Sequence, residues 1–226
     1  AQVPAKFSFS NHTRKPRTKT LSQVPLLRGQ SFERDMVNDD LRCIKAFPSG
    51  RTVVYSCETL EEVGIVDVNR RTIVGIVRLP DSVTCLVPID RTDFLCGLTS
   101  GKLLRIHRDT LNYTQAKFVH QAEVMSIAVH PRERALALSV SRDNFLCAWN
   151  LTTMSVTHKV PCAEGTSSIL WSPSGNLFSI SSEKITRVIE YGGRVIGEIR
   201  LATALHVYFH SVALNARARV FYFKGL

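Results

Sequence analysis

The sequence lacks the features that mark several protein classes. Its six cysteines include no Cys-x-x-Cys pair, so the usual spacing of a zinc site is absent. No apolar run approaches the roughly 18 residues that a membrane-spanning helix needs. The first residues contain no apolar stretch of the kind found in a secretory signal. We therefore expect buried, reduced thiols, no membrane contact and no secretory targeting.

Sequence motifs for catalysis are missing as well. Gly97, Gly101 and Lys102 do not have the spacing of a phosphate-binding Walker loop. The sequence contains no GxSxG, no HExxH and no Gly-rich dinucleotide fingerprint. Because catalysis needs a preorganised group of reactive residues, we expect a protein without enzymatic activity, cofactor, bound metal or small-molecule substrate.

Acidic residues are scarce at the start of the chain. Lysine and arginine outnumber aspartate and glutamate by 29 to 19, and no acid precedes Glu33. Four cations lie close together, at Arg14, Lys15, Arg17 and Lys19. Such an excess favours polyanionic partners through the release of counterions. Residues 1–40 are predicted to form a basic arm that either contacts RNA or acts as a mitochondrial presequence-like segment.

The strongest positive signal is a repeat. Similar short apolar segments begin at Leu41, Val83, Val124, Ser167 and Leu205. A period of about 40–45 residues with several short strands in each unit is typical of propeller blades. We predict an all-β, WD-repeat β-propeller with blades at residues 41–82, 83–123, 124–166 and 167–204 and a partial blade at 205–226. Residues 1–40 could add strands of an earlier blade.

Each unit is predicted to contain four strands separated by turns. In the second unit these are SVTCLVPI, DFLCGLTS, KLLRIHR and QAKFVH, the last at residues 115–120. About five blades are visible in the sequence. A propeller must close, because open blade faces would expose large apolar surfaces. We therefore expect this chain to form part of a seven-bladed propeller whose other blades belong to a longer polypeptide or are not represented.

The third unit has four polar or aromatic residues in a diagnostic order. His120 precedes the first strand, Ser139 lies in the second, Asp143 in the next turn and Trp149 in the third strand. We expect Asp143 to accept hydrogen bonds from the His120 ring and turn amides, the ring to bond the Ser139 hydroxyl, and that hydroxyl to bond the indole. Buried polar groups must satisfy one another in this way, so these four residues are predicted to form a structural tetrad.

Three loop arginines are further candidates for nucleic-acid contact. Arg132, Arg134 and Arg142 fall in turns of the third unit, and we expect them in loops at the top of the propeller. Arginine in a loop can bind phosphate or an acidic partner. Solvated loops without a partner are the alternative interpretation.

The middle of the chain resembles a known family. The run HQAEVMSIAVHPRERALALSVSRDNFLCAWNLTTMSV, followed by ILWSPSGNLFSISSEKI, is similar to the middle blades of the PAK-interacting WD-repeat proteins. The preceding stretch, DSVTCLVPIDRTDFLCGLTSGKLLRIHRDTLNYTQAKFVH, has the layout of the preceding family blade. The resemblance extends from Leu41 to about Ile199.

This resemblance implies a function in the assembly of the large ribosomal subunit. The expected partners are ribosomal proteins, assembly factors and rRNA, and the expected location is the nucleolus within the nucleus, with the mitochondrion or cytoplasm as alternatives. Family members are also described as restraining a p21-activated kinase. The alternative function is therefore a signalling or chromatin-complex adaptor that binds protein partners.

Overall fold

The computed structural model describes residues 41–117 and 120–200, together with the backbone of Phe209–Leu214 and Val220–Lys224. Every regular element in this part of the chain is a β-strand. The strands form four antiparallel sheets of four strands and one sheet of two strands. In each four-stranded sheet the spatial order follows the sequence order, as in a blade built from consecutive hairpins.

The strand bounds follow the predicted repeat. The first blade contains Leu41–Ala46 (β1), Thr52–Cys57 (β2), Glu62–Asp67 (β3) and Thr72–Arg78 (β4). The second contains Val83–Pro88 (β5), Asp93–Leu98 (β6), Leu103–His107 (β7) and Tyr113–Gln115 (β8). The third contains Val124–Val129 (β9), Leu136–Ser141 (β10), Phe145–Asn150 (β11) and Ser155–Pro161 (β12). The fourth contains Thr166–Trp171 (β13), Leu177–Ser182 (β14), Ile185–Glu190 (β15) and Val195–Arg200 (β16), and the two-stranded sheet contains Phe209–Leu214 (β17) and Val220–Lys224 (β18).

The predicted fourth strand of the second blade was placed wrongly. The strand is Tyr113–Gln115 rather than residues 115–120. A turn closed by the Leu111 N–H on the His107 carbonyl reverses the chain directly after β7 and fixes this register. The Ala116 N–H still bonds β7, whereas the Lys117 N–H bonds Met154 of the next blade. Ala116 and Lys117 of the QAKFVH run therefore lie beyond β8, where the chain passes to the next blade, and Phe118 and Val119 lie outside the described residues.

A bulge recurs near the start of the first strand of every sheet. The register shifts between Leu41 and Cys43 in β1, and the equivalent shift in β17 lies between Phe209 and Ser211. The same irregularity occurs in β5, β9 and β13. The paired strand of the fifth unit thus begins at Phe209, and the predicted start at Leu205 lies outside the described residues.

Hydrogen bonds join the first strands of neighbouring blades just after this bulge. The Cys43 thiol donates to the Thr84 carbonyl over 3.2 Å. One blade further along, the Thr84 hydroxyl donates to the Val124 carbonyl. Between the third and fourth blades, the Ser126 hydroxyl accepts a bond of 3.3 Å from the Ile169 N–H. These contacts place β1, β5, β9 and β13 side by side, so the sheets are arranged as successive blades of a propeller.

Most of the core lies between the blades, and a smaller cluster that includes Tyr55 and Val66 lies within the first blade. One cluster of buried side chains joins the first and second blades and includes Phe47 and Phe94, whose rings meet edge to face with centroids 6.0 Å apart. A second cluster, around Trp149, joins the second and third blades. A third cluster, around Ile169, joins the third and fourth. Apolar side chains on both faces of a strand explain why the hydrophobic alternation in the sequence is incomplete.

The antiparallel order divides the connecting loops between two faces. We call upper the face that carries the loops between blades and those between the second and third strands of a blade. We call lower the face that carries the loops between first and second strands and between third and fourth strands. The predicted all-β blade architecture is confirmed. Among the described residues there is no helix of the length and apolar character that crossing a membrane requires.

Candidate functional site

The structure brings the four predicted tetrad residues together at the upper end of the third blade. The His120 ring lies in the loop that enters the blade, and Ser139 lies in β10. Asp143 lies in the turn between β10 and β11, and Trp149 lies in β11. The Asn144 residue of that turn has a φ of 61°, a left-handed conformation that asparagine tolerates better than most residues.

A chain of hydrogen bonds runs through these side chains. The Trp149 Nε1 donates to the Ser139 Oγ over 2.7 Å. The same Oγ lies 2.8 Å from the His120 Nε2, and the His120 Nδ1 lies 3.0 Å from the Asp143 Oδ2. Because the carboxylate can only accept, the His120 Nδ1 carries the proton and its Nε2 accepts from the hydroxyl. Asp143 also accepts from the Gln121 and Phe145 N–H groups.

Burial sets the protonation of this group. Removal from water lowers the pKa of His120, although the nearby Asp143 carboxylate opposes that effect. Burial alone would raise the pKa of Asp143, but the bonds from the Gln121 amide and the His120 ring outweigh it, so the pKa falls. A neutral imidazole beside an ionised carboxylate is therefore the stable state at neutral pH. The geometry of the four residues suits a structural clasp that joins β10, β11, the turn between them and the loop that enters the blade.

Two neighbours of the tetrad were not found from the sequence. The Ser141 hydroxyl donates to the Ala122 carbonyl over 2.9 Å and accepts from the Asp143 N–H. The Lys159 ammonium, in β12, lies 4.0 Å from the Asp143 Oδ2 and 4.2 Å from the centroid of the Phe145 ring. The sequence gives one signal for Ser141, which is a hydroxyl residue two positions before Asp143. It gives no signal for Lys159.

The second blade closes the same two loops with reversed roles. There the carboxylate is Asp81, in the loop between blades, and its partners lie in the turn between β6 and β7. Asp81 accepts bonds of 2.7 Å from the Thr99 hydroxyl and from the Ser100 N–H. A blade without the tetrad is thus still held at its upper end by one carboxylate.

The predicted cationic loop residues do not form one group, which corrects the expectation that all three lie at the top. Arg132 and Arg134 lie in the loop between β9 and β10, on the lower face. Arg142 lies at the other end of β10, on the upper face, because one six-residue strand separates the two loops. The Arg142 guanidinium pairs with Glu123 over 2.9 Å, and Glu123 also pairs with Arg42 of the first blade over 2.6 Å.

The predicted RNA contacts of the basic arm, at Arg14, Lys15, Arg17 and Lys19, lie outside the described residues. Within the described part, no group of three or more His, Cys, Asp or Glu side chains is arranged to hold a metal ion. All six cysteines are free thiols. Burial raises the pKa of Cys85 to about 12 and that of Cys147 to about 11.

Comparison with known proteins agrees with the architecture. No protein-family model matches the chain. The chain is 28% identical over 99 residues to the p21-activated protein kinase-interacting protein 1-like of Xenopus laevis, a match that covers 44% of this chain and 27% of that protein. The matched region thus spans about a quarter of that relative.

The fold is also similar to a chain in a crystal structure of the mitotic checkpoint complex. The TM-score is 0.64 at 17% sequence identity, and the match covers 71% of this chain and 51% of the other. Successive four-stranded blades, the tetrad of the third blade and these similarities lead to one conclusion. The chain has the fold of a WD-repeat β-propeller, an architecture typical of scaffolds for protein interaction.

Proposed function

We propose that this chain is a non-catalytic scaffold in ribosome biogenesis, which docks on proteins and rRNA of the large-subunit precursor in the nucleolus. The observation that carries the proposal is the formal net charge of the chain, which is +10 at pH 7. The fold also has loops at two faces, where partners can bind. A pre-ribosomal particle is a large polyanion, and a cationic protein gains affinity for it by releasing counterions. The family resemblance of the middle blades supports the same assignment.

The chemistry of the third blade supports a scaffold role. The tetrad side chains form hydrogen bonds with one another, from Trp149 through Ser139 and His120 to Asp143. The side chains of His120 and Asp143 are almost fully buried. A group satisfied in this way stabilises a rigid support on which exposed loops can bind partners. We assign the tetrad to stability and the loops to recognition.

A protein-binding adaptor for signalling is the second candidate. It is favoured by the name of the Xenopus laevis relative, which describes that protein as interacting with a p21-activated kinase. A chromatin-complex adaptor belongs to the same class of function. In this case the partner would be a protein, and removal of RNA would leave the complex intact.

Purification of the tagged full chain at moderate salt separates the two candidates. The scaffold in ribosome biogenesis should co-sediment with particles that contain large-subunit precursor rRNA, and ribonuclease or high salt should release it. A matched variant replaces Arg14, Lys15, Arg17 and Lys19 with Gln and should bind these particles less tightly. Recovery of a kinase complex that resists ribonuclease, with no ribosomal particle, would overturn the first candidate in favour of the second.

A further inference from the structure

The two faces of the propeller differ strongly in charge. In the part of the chain that the structure describes, the lower-face loops are residues 47–51, 68–71, 89–92, 108–112, 130–135, 151–154, 172–176 and 191–194. Eight arginines and no lysine occur in them, at Arg51, Arg70, Arg71, Arg91, Arg108, Arg132, Arg134 and Arg194. Their acids are only three, Asp90, Asp109 and Glu133.

The upper-face loops have the opposite balance. Between residues 41 and 200, and leaving out residues 118 and 119, these loops are residues 58–61, 79–82, 99–102, 116–123, 142–144, 162–165 and 183–184. They contain seven acids, at Glu58, Glu61, Asp81, Glu123, Asp143, Glu164 and Glu183. Their cations are four, at Lys102, Lys117, Arg142 and Lys184. A polyanion that approaches the blades is therefore attracted to the lower face and repelled by the upper one.

Only part of the lower-face charge is used within the chain. Three arginines have a carboxylate partner: Arg70 with Asp67, Arg108 with Asp109, and Arg194 with Glu190. The other five are exposed and form no ion pair with any residue that the structure describes. These are Arg51, Arg71, Arg91, Arg132 and Arg134. They belong to the first three blades, so the unpaired charge extends across neighbouring blades.

One acid of this face, Asp90, forms its hydrogen bonds within its own turn. The Asp90 Oδ1 accepts bonds from the N–H groups of Thr92 and Asp93 and from the Thr92 hydroxyl, all within 3.1 Å. The Asp90 side chain therefore serves its own turn, and Arg91 beside it extends into solvent. Such a carboxylate neutralises less of the arginine charge than an ion pair would.

An exposed aromatic ring lies on the same face. Tyr191 is 52% exposed, and its ring centroid lies 5.6 Å from that of Trp171 and 6.3 Å from that of His130. Trp171 is fixed in turn, since its Nε1 donates to the Ala128 carbonyl over 3.1 Å. Tyr191 is thus supported by other rings on one side and open on the other. This is the arrangement of a stacking platform.

The loop that carries two of the unpaired arginines is held in place beside this platform. The His130 Nδ1 accepts a bond of 2.8 Å from the Glu133 N–H, so the ring proton lies on Nε2. That Nε2 donates to the Gly175 carbonyl over 3.0 Å, which ties the loop to the fourth blade. Arg132 and Arg134 therefore project from a loop of fixed shape, and binding costs less conformational entropy.

We infer that the lower face binds single-stranded RNA, with phosphates on Arg91, Arg132 and Arg134 and a base stacked on Tyr191. Guanidinium groups bind phosphate through planar pairs of N–H donors, and aromatic rings accept the face of any unpaired base. An acidic peptide would use the arginines but would have no use for the ring. The inference rests on the proposed function and adds to it the surface that meets rRNA.

The test measures binding of a short, unstructured, fluorescent RNA to the full chain over a range of salt concentrations. The lower-face variant carries Arg91→Gln, Arg132→Gln and Arg134→Gln. The matched control carries Lys102→Gln, Arg142→Gln and Lys184→Gln on the upper face, loses the same charge and keeps the basic arm. All six positions lie in loops or at their ends, so circular dichroism should show both variants folded.

We expect the lower-face variant to bind RNA roughly tenfold more weakly, with a salt slope smaller in magnitude by about 2, since each lost phosphate contact removes about 0.7. The upper-face control should bind like the parent. Tyr191→Ala should weaken binding by about fivefold to a hundredfold, whereas Tyr191→Phe should not. Equal affinity and slope for the lower-face variant and the parent would overturn the inference.

A competition experiment separates RNA from an acidic protein partner. Polyglutamate should displace the RNA less well than unlabelled RNA of equal charge. If polyglutamate competes equally and Tyr191→Ala has no effect, the face binds acidic peptides and the inference is wrong. Direct RNA binding by this face without co-sedimentation with ribosomal particles would refute the proposed function alone. Co-sedimentation that persists in the lower-face variant, with no loss of RNA binding, would refute the inference alone.

Discussion

The indole Nε1 of Trp149 donates a 2.7 Å hydrogen bond to the Ser139 Oγ, which joins the third strand of the third blade to its second strand. Trp149 is fully buried and belongs to the apolar cluster between the second and third blades. A single contact therefore links the polar clasp at the upper end of one blade to the apolar core shared with the blade before it.

Substitutions at these two positions should separate packing from hydrogen bonding. Trp149→Ala should lower the free energy of unfolding by about 3–5 kcal/mol, because it leaves a large cavity. Trp149→Phe keeps much of the ring but removes the donor, and should cost less. A double-mutant cycle of Trp149→Phe with Ser139→Ala, measured by urea unfolding, should give a coupling energy of about 0.5–3 kcal/mol. Strict additivity would show that the hydrogen bond contributes nothing.

The pH dependence of stability should report on His120. Burial lowers its pKa in the folded state below the ordinary value of 6.5. The unfolded chain therefore binds a proton more readily than the folded one, and stability rises with pH between the two pKa values. We expect the free energy of unfolding to be unaffected by this residue above pH 6.5 and to decrease as the pH falls below it.

Variants identify the source of that decrease. The His120→Gln variant should be less stable than the parent at neutral pH. As the pH falls from 7 to below 6.5, its free energy of unfolding should decrease less than that of the parent. His158→Gln is the matched control, because His158 lies exposed in the outer strand β12. Its pH profile should follow that of the parent. Parallel profiles for the parent and His120→Gln would contradict the assignment.

The sequence predicted the repeat and the tetrad because both are local patterns. Turn residues recur at intervals fixed by four short strands, and His120, Ser139, Asp143 and Trp149 occur within 30 residues of one another. The misplaced strand β8 had the opposite cause. An apolar run resembled a strand, but the turn after His107 decided the register, and turn geometry is not visible in hydrophobicity.

Features that depend on two distant loops were not predictable in the same way. The pairing of Asp81 with the turn at Ser100 joins loops whose roles are the reverse of those in the third blade. The separation of Arg142 from Arg132 depends on which end of β10 each loop occupies. A correct strand count gives that answer only once the direction of each strand is known, and hydrophobic patterning does not show that direction.

Gly101 should be a stability determinant between the second and third blades. It has a φ of +82°, and a Cβ added there would overlap the backbone carbonyls of His120 and Ala122. Its own carbonyl accepts a bond from the His120 N–H over 3.1 Å. Gly101→Ala should therefore displace the tetrad histidine as well as strain its own backbone.

Gly50 is the matched control for this substitution. It has a φ of +67°, and nothing lies within 4 Å of an added Cβ. Gly50→Ala should cost only the left-handed strain of about 1–2 kcal/mol, and Gly101→Ala should cost about 1–3 kcal/mol more for the overlap. Equal losses of stability in thermal melts would show that the neighbouring loop adapts without cost.

The thiols provide a last test of how the blades pack. Cys96 and Cys147 are fully buried in the clusters between blades, and burial raises the pKa of both, that of Cys147 to about 11. The thiolate is the species that reacts with iodoacetamide, so neither residue should be modified in the folded protein near pH 8.

Mass spectrometry of each cysteine should show modification of all six in urea. The half-buried Cys162 is the internal comparison and should react before the other two as urea is raised, because the interfaces between blades must separate before Cys96 and Cys147 meet solvent. Prompt labelling of Cys147 in the absence of urea would contradict the close packing of the second and third blades.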